Sequence, residues 1–129
     1  IVAVSTPELT ALRNLRVFLD ATGRLGYKAD KIRLVINRSD MRGAVSLADI
    51  EKAARRTVTL TISNDHEAVA GSINHGRPVV IHQPQRPISR EIARVAALVS
   101  HGETSQVPAQ DRAKGATLSR LFTRVPSRG

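Results

Sequence analysis

The sequence lacks several features that define common classes of protein. Its 129 residues include no Cys, which excludes disulfide bonds and thiolate metal sites and is compatible with an intracellular setting. Trp is also absent, and the aromatic residues are limited to Phe18, Tyr27 and Phe122, so the core must be built from aliphatic side chains. This scarcity argues against binding of single-stranded nucleic acid by base stacking. No run approaches the roughly 18 apolar residues that a transmembrane helix requires.

Positive charge is the most pronounced feature of the composition. Lys and Arg total 20 and Asp and Glu total 11, which gives a formal net charge of +9. Such a surface can contact phosphate groups or anionic lipids, although a basic surface without a specific partner is the alternative. The chain begins with Ile1-Val2-Ala3-Val4, which is not a signal peptide because it has no basic leader or cleavage site. We expect a strand entered partway, and therefore a fragment.

Short apolar runs alternate with amphipathic segments along the chain. Strands are predicted at residues 1–4, 31–37, 57–62 and 78–82. Helices are predicted from a Thr6 cap to Gly23, from a capping-box-like start at Ser46 to Arg55, from His66 to His75 after a turn and cap that ends at Asp65, and from a Ser89 cap to Gly102. This alternation predicts an α/β fold, a parallel β-sheet with helices on both faces.

The helical period selects the side chains that should face the core. In the first, third and last helices these are Leu9, Leu12, Leu15, Phe18 and Leu19; Val69, Ala70 and Ile73; and Ile92, Val95, Ala96 and Val99.

Polar loops follow the predicted strands. Because right-handed crossovers place every strand-to-helix loop at one edge of a parallel sheet, residues 5–8, 37–43, 63–65 and 83–87 should lie together there. Ligands bind at this edge in α/β proteins. The candidate at its centre is Asn37, which ends the run IRLVINRSD, because its amide offers both a donor and an acceptor to a purine. The alternative is that Asn37 only caps its loop. Residues 37–40 are also a relaxed form of the N-K-x-D guanine motif, with Arg in place of Lys.

Several segments, in order, resemble the CpaE-type pilus-assembly ATPases of the MinD/ParA group of P-loop proteins. They are STPELTALRNLRVFLD, KIRLVINRSD, ISNDHEAVAGSINHGRPVV and PISREIARVAALV, and they span about residues 1–99. The resemblance implies the C-terminal half of a P-loop NTPase fold, of the deviant Walker A type, in residues 1–102. Residues 103–111 are then a polar linker and 112–129 a basic amphipathic tail. The family usually has Pro at the position of Ser63, so this chain departs from the family pattern in that loop.

The resemblance also assigns roles to individual residues. Asn37 would contact the base of ATP, and Arg38 would stack or pack beside it. Glu8 lies in the loop that, in related proteins, approaches the dimer partner across a sandwiched ATP. The other side of the base would be covered, largely by backbone, by Ser63, Asn64 and Asp65.

The groups that would bind phosphate are not in this sequence. It contains no G-x-x-x-x-G-K-[ST] loop, no K-G-G-x-x-K variant and no strand-end Asp for Mg²⁺. In the family these lie N-terminal to the matching segments, so we expect base contacts but no ATP hydrolysis by this chain alone, and we assign it no catalytic residue. Nor do we expect a metal site, because the histidines lack ligand spacing and are better explained as surface or cap residues: His66, His75, His82 and His101.

The tail segment GATLSRLFTRV resembles the short basic helix that tethers MinD to the membrane. Its apolar side chains have helical spacing: Leu118, Leu121, Phe122 and Val125. One helix this short would bind anionic lipid weakly, so dimerisation would be needed for attachment. A solvated tail is the alternative. The expected location is cytoplasmic, or peripheral on the inner face of the cytoplasmic membrane.

The resemblance thus implies a nucleotide switch in which ATP-dependent homodimers position a Flp/Tad-type pilus or secretion apparatus. This chain would supply base recognition and dimer surface. Three alternatives remain open at this point: a non-catalytic scaffold of the same fold, a ParA-like partitioning protein that binds DNA nonspecifically, and a GTPase.

Overall fold

A three-stranded parallel sheet in the order β1-β2-β3 lies at the centre of residues 1–101, the part of the chain that the computed structural model describes. The strands are β1 (Val2–Ser5), β2 (Arg33–Ile36) and β3 (Leu60–Thr61). Ala3 lies opposite Leu34, and Val35 lies opposite Leu60. The helices are α1 (Leu9–Arg24), α2 (Leu47–Ala54), α3 (His66–Asn74), α4 (Val79–His82) and α5 (Pro87–His101), with a 3-10 turn at Ala29–Lys31.

Helices cover both faces of the sheet, as the alternation of elements predicted. Side chains on a strand alternate between faces, so Leu34 and Ile36 face α1 and α2 while Val35 faces α5. All three side chains are fully buried. The larger apolar cluster lies on the α1–α2 face and contains Ala3, Leu12, Leu15, Leu19, Ile32, Leu34, Ile36, Ile50 and Ala54. The α/β prediction with a parallel sheet is therefore confirmed.

Two predicted helix caps form side-chain hydrogen bonds. The hydroxyl of Ser46 accepts a hydrogen bond from the backbone N–H of Asp49 and starts α2. The carboxylate of Asp65 accepts one from the N–H of Ala68 and starts α3. Both satisfy a backbone donor that has no partner within its helix. Gly76, with φ of +61°, follows α3 in the left-handed conformation that favours glycine.

The fourth predicted strand is wrong, because residues 78–82 form Pro78 and the short helix α4. The carbonyl of Pro78 accepts hydrogen bonds from the N–H groups of Ile81 and His82. Pro78 precedes a helical turn without strain, since its fixed φ suits that position and its missing N–H is not needed there. This segment packs against α3 and α5, so its backbone closes on itself rather than pairing in the sheet.

Two helix starts also differ from prediction. Thr6 does not cap α1; its hydroxyl donates instead to the carboxylate of Glu8, which occupies the N-cap position without a side-chain hydrogen bond. Gly23 lies inside α1, which continues to Arg24. Ser89 is inside α5, which begins two residues earlier at Pro87.

The buried faces of three helices agree with prediction in part: α1 buries the predicted Leu12, Leu15 and Leu19, and Val95 of α5 packs against the cluster around Val35. Other positions differ. In α1, Leu9 and Phe18 are exposed and Thr22 is buried; in α3, Val69 and Ile73 are exposed and Ala68 and Ser72 are buried; in α5, Ala96 and Val99 are exposed while Ile88, Ser89 and Leu98 are buried. Each helix buries the narrow side that touches its neighbours, which the helical period alone does not identify.

Residues 1–101 lack two features that would indicate a membrane span or a metal site. This region contains no helix of the length and apolar character needed to cross a membrane. It also contains no group of three or more His, Asp or Glu side chains that could hold a metal ion. Gly102, the linker at 103–111 and the tail at 112–129 lie outside the described residues.

Candidate nucleotide-base site

Three strand-to-helix loops meet at the carboxyl edge of the sheet. The N–H of Asn37 donates to the carbonyl of Ser5 at 2.8 Å, and the N–H of Ser39 donates to the carbonyl of Ile62 at 2.9 Å. Further along, the N–H of Val45 donates to the carbonyl of Pro7 at 3.0 Å. These bonds join residues 5–8, 37–45 and 62–65 into one polar surface, where parallel α/β sheets bind ligands.

The fourth predicted loop, residues 83–87, follows a helix and not a strand, yet it reaches the same surface through Arg86. Its guanidinium lies 3.5 Å from Asp65 and donates to Glu67 at 3.2 Å. It also donates to the side chain of Gln83 at 2.8 Å. Arg86 therefore ties the start of α5 to the start of α3.

Asn37 is half-buried directly after β2. Its Oδ1 accepts a hydrogen bond from the N–H of Arg38 at 2.9 Å, so it does cap its own loop. A side-chain amide has two donors and two acceptor lone pairs. The cap uses one lone pair and leaves the Nδ2 donors and one acceptor position for a ligand. Asn37 also lines a concavity of about 520 Å³ whose remaining walls come from β1 and α1.

Arg38 has a backbone conformation that is uncommon for its type. Its φ is +55°, in the left-handed region, which costs a non-glycine residue roughly 1–2 kcal/mol. The loop offsets this cost through the bond that the N–H of Arg38 donates to Oδ1 of Asn37 and a bond from the N–H of Met41 to the carbonyl of Arg38. The conformation directs the Arg38 guanidinium toward the loop after β3, where its Nε donates to Oδ1 of Asn64 at 3.2 Å.

The loop after β3 is bound on both sides. On one side, the N–H of Asn64 donates to Oδ1 of Asp40 at 2.5 Å. On the other, the N–H and the hydroxyl of Ser63 both donate to Oε2 of Glu91, at 2.8 and 2.7 Å. Asp65 uses one carboxylate oxygen to cap α3 and faces Arg86 with the other.

The five predicted base-site residues therefore fall into two groups. Asn37, Arg38 and Asn64 retain hydrogen-bonding atoms that the described protein contacts do not use. Ser63 and Asp65 are engaged by α5, by α3 and by Arg86, so their side chains hold the loop in place.

Comparison with known proteins addresses the fold. No protein-family model matches the sequence, and no curated protein matches it significantly. Among solved structures, a ParA family ATPase from Chlorobium tepidum TLS matches with a TM-score of 0.67 at 26% identity, over 74% of this chain and 39% of that protein. The MinC:MinD cell division protein complex of Aquifex aeolicus matches with a TM-score of 0.66 at 18% identity, over 83% and 44%. This chain has the fold of the ParA and MinD ATPases.

A third match, the septum site-determining protein MinD of Pyrococcus horikoshii OT3, was solved in complex with Mg-ADP. Its TM-score is 0.61 at 16% identity, over 78% of this chain and 41% of that protein. The chain thus spans about two fifths of the length of each of these three proteins. What this chain shares with these proteins is the ParA/MinD fold.

The structure also places the residues predicted to lie at a dimer face or on the surface. Glu8 is exposed at the N-cap of α1, at the same edge as Asn37; its place in a dimer interface stays a prediction. His66 is exposed, and His75 ends α3 and stacks on His82 with ring centroids 4.7 Å apart. The predicted membrane-binding residues Leu118, Leu121, Phe122 and Val125 lie outside the described residues.

Sequence reasoning missed two residues that shape the ParA/MinD-like edge: Glu91 and Arg86. Each is separated by about 20 or more positions from a residue that it holds, Ser63 and Asp65 respectively. No short motif could have connected them. The only available signal was the acidic residue near the start of the last helix, and helix-dipole preference explains that equally well.

Proposed function

We propose that this chain forms the base-binding side of the nucleotide site in an ATP-binding protein of the MinD/ParA type. The observation that carries the proposal is the half-buried amide of Asn37, held at the carboxyl edge of the sheet with hydrogen-bonding capacity to spare. Two further facts support it: the fold is that of ParA and MinD ATPases, and one such MinD was solved with Mg-ADP.

The chemistry of this edge suits adenine. An Asn amide can donate to a ring nitrogen of adenine and accept from its amino group, a pairing worth about 1–3 kcal/mol of discrimination. The planar guanidinium of Arg38 can stack on an aromatic base. Asn64 lies beside that guanidinium and can close the site from the side of β3.

The guanine alternative depends on Asp40, which the relaxed N-K-x-D pattern places where a guanine-specific Asp would lie. A guanine-specific Asp must accept hydrogen bonds from the ring N–H and amino group of the base. Here Oδ1 of Asp40 already accepts from the N–H of Asn64 at 2.5 Å. A carboxylate has about four lone-pair sites, so this contact leaves Oδ2 and one site of Oδ1 for a base. The relative affinity for ATP and GTP therefore decides between adenine and guanine.

The phosphates and Mg²⁺ would be bound by residues outside this sequence, which has no Gly-rich phosphate loop. The resemblance to CpaE-type proteins extends the proposal: ATP binding favours a homodimer, and the dimer positions a pilus or secretion apparatus. Glu8 would lie at the dimer face, and residues 112–129 would add weak attachment to the cytoplasmic face of the membrane.

The test compares nucleotide binding by Asn37 variants of the full-length protein, meaning this chain with any sequence that adjoins it. Asn37→Asp keeps an acceptor for the N–H of Arg38 but replaces the Nδ2 donors. We expect it to weaken ATP binding about 10-fold to 100-fold, the range that a lost base pairing predicts. The matched control is Asn14→Asp, an exposed amide of α1 on the wall of the same concavity.

Isothermal titration calorimetry with ATP and GTP measures both affinities. Equal affinity of the Asn37→Asp and Asn14→Asp variants for ATP would exclude Asn37 as the base contact, and preference for GTP in the wild type would exclude adenine recognition. Binding of ATP without metal-dependent phosphate release would favour the non-catalytic scaffold.

The net charge of +9 favours a second candidate function, nonspecific DNA binding by a ParA-like partitioning protein. This function predicts that the full-length protein with ATP retards random-sequence DNA and that the affinity falls steeply with salt concentration. Absence of a retarded band at low salt would exclude it.

A further inference from the structure

We propose that Glu91 is a positioning residue for the base-binding loop, and this inference rests on the proposed function of that loop. Glu91 lies in the second turn of α5 and is half-buried. Its Oε2 accepts hydrogen bonds from the backbone N–H of Ser63 at 2.8 Å and from the Ser63 hydroxyl at 2.7 Å. Hydrogen bonds to an ionised carboxylate are shorter and stronger than those between neutral groups.

The position of Ser63 in the loop gives these two bonds their importance. The residues on either side are held by the loop after β2, through Ser39 to Ile62 and through Asn64 to Asp40. Ser63 is held from the opposite direction by Glu91. The loop is thus fixed between two elements, and the Glu91 bonds set the orientation of the peptide that leads into Asn64.

That orientation determines where the Asn64 side chain lies. Its Oδ1 receives the hydrogen bond from Nε of Arg38, so a rotation of the 62–64 backbone would move both groups that flank the predicted base position. Glu91 itself is directed at Ser63 from behind the loop. Its effect on the nucleotide would therefore be transmitted through Ser63 and Asn64, without direct contact.

Arg86 strengthens the same connection between α5 and the loop. It immediately precedes α5 and lies 3.5 Å from the carboxylate of Asp65. Two separate polar contacts, Glu91 with Ser63 and Arg86 with Asp65, therefore join the first turns of α5 to successive parts of the loop. Displacement of α5 would displace residues 63–65 with it.

The experiment measures binding of ATP and of inorganic tripolyphosphate to the full-length wild-type protein and to Glu91→Gln. The Gln side chain preserves size but offers a neutral acceptor and adds donors facing the donors of Ser63. We expect ATP to bind about 5-fold to 10-fold more weakly, since a charged hydrogen-bonded pair is replaced by a strained neutral one. Tripolyphosphate has no base, so its affinity should be unchanged. The matched control, Asp20→Asn, removes an exposed carboxylate on α1 and should change neither affinity.

A double-mutant cycle with Ser63→Ala tests whether Glu91 acts through Ser63. Ala removes the hydroxyl but keeps the N–H, so the loss of ATP affinity caused by Glu91→Gln should be smaller in that background than in the wild type. Full additivity would overturn the proposal. So would an equal loss of ATP and tripolyphosphate affinity, which would indicate a general structural defect.

Two other outcomes separate this proposal from the function on which it rests. If the wild type binds ATP and Glu91→Gln binds it equally well, the positioning role fails and the proposed function stands. If the wild type binds tripolyphosphate but gains nothing from the base of ATP, both fail together.

Discussion

The two sides of the sheet are held by different kinds of interaction. On the α1–α2 side, a continuous apolar cluster surrounds Leu34, Ile36 and Ile50, all of which are fully buried. On the α5 side, the buried apolar cluster is small and centres on Val35, Leu60 and Leu98. Polar side-chain contacts supplement it there, and join α5 to residues 63–65 and to α4.

This difference separates the stability of the fold from the geometry of its edge. Apolar burial is roughly proportional to area and has no preferred direction, so the α1–α2 side can hold the sheet without fixing any loop closely. Hydrogen bonds weaken steeply when distance or angle changes. The α5 side therefore suits the placement of a binding loop, and mutations on the two sides should have different consequences.

The largest expected effect is the loss of stability from truncating the α1–α2 core. Ile50→Ala should lower the free energy of unfolding by about 2–5 kcal/mol, because it leaves a cavity in a closely packed cluster. Leu98→Ala should fall at the lower end of that range, because Leu98 belongs to the smaller cluster and is 9% exposed. Urea unfolding of the full-length protein measures both values. A larger loss from Leu98→Ala would reverse the assignment of the main core.

A smaller effect is expected from the buried hydroxyl that fixes α5 to α4. Ser89 is 3% exposed, and its hydroxyl lies within hydrogen-bonding distance of the carbonyls of Val79 (3.1 Å) and Gln83 (2.7 Å). Ser89→Ala should cost about 1–3 kcal/mol, since it leaves acceptors without their donor. The exposed Ser100→Ala in the same helix is the control. Equal unfolding free energies for the two variants would show that polar contacts contribute little on the α5 side.

The sequence allowed the sheet and its binding edge to be predicted because both depend on local signals. β2 is an apolar run that stops at Asn37, and the caps Ser46 and Asp65 are followed by helical periods. Residues 78–82 were mistaken for a strand because a run of three β-branched residues, Val79, Val80 and Ile81, fits either period. Only the packing of this segment between α3 and α5 decides that it is helical.

The details of the candidate site could not be predicted in the same way. Asn37 was identified from its position after a strand; the structure adds that it caps Arg38, whose guanidinium donates to Asn64. The contacts of Glu91 and Arg86 join residues far apart in sequence. In α5 the predicted inward residues Ala96 and Val99 are exposed, while Leu98 is buried. Tertiary packing decides which side chains pair in this way. Neither the secondary-structure propensity of a residue nor its spacing from other residues in the sequence predicts such a pair.

The N-cap residues of α2 and α3 allow the two sides of the sheet to be compared, because loss of either cap should lower the free energy of unfolding by about 1 kcal/mol. Ser46→Ala removes the cap of α2, and Asp65→Ala removes the cap of α3. We expect similar losses in the free energy of unfolding. Only Asp65→Ala should also weaken ATP binding, several-fold, because it releases Arg86 from the base loop. Calorimetry with ATP distinguishes the two variants. If Ser46→Ala lost as much affinity for ATP as Asp65→Ala, the α5 side would have no special role in nucleotide binding.

The smallest change in the free energy of unfolding should come from the exposed ion pair between Arg16 and Asp20, on the α1–α2 side. Asp20 pairs with Arg16 one turn away at 3.2 Å, with side chains 51% and 34% exposed. Exposed pairs of this kind contribute about 0.3–0.5 kcal/mol. In Asp20→Asn, Arg16 keeps its hydrogen bond to the carbonyl of Ala53, so the contact between α1 and α2 persists. Urea unfolding should detect little change at 0.5 M salt, where the pair is already screened. If Asp20→Asn lowered the free energy of unfolding as much as Ser89→Ala does, burial could not explain the strength of the polar contacts on the α5 side.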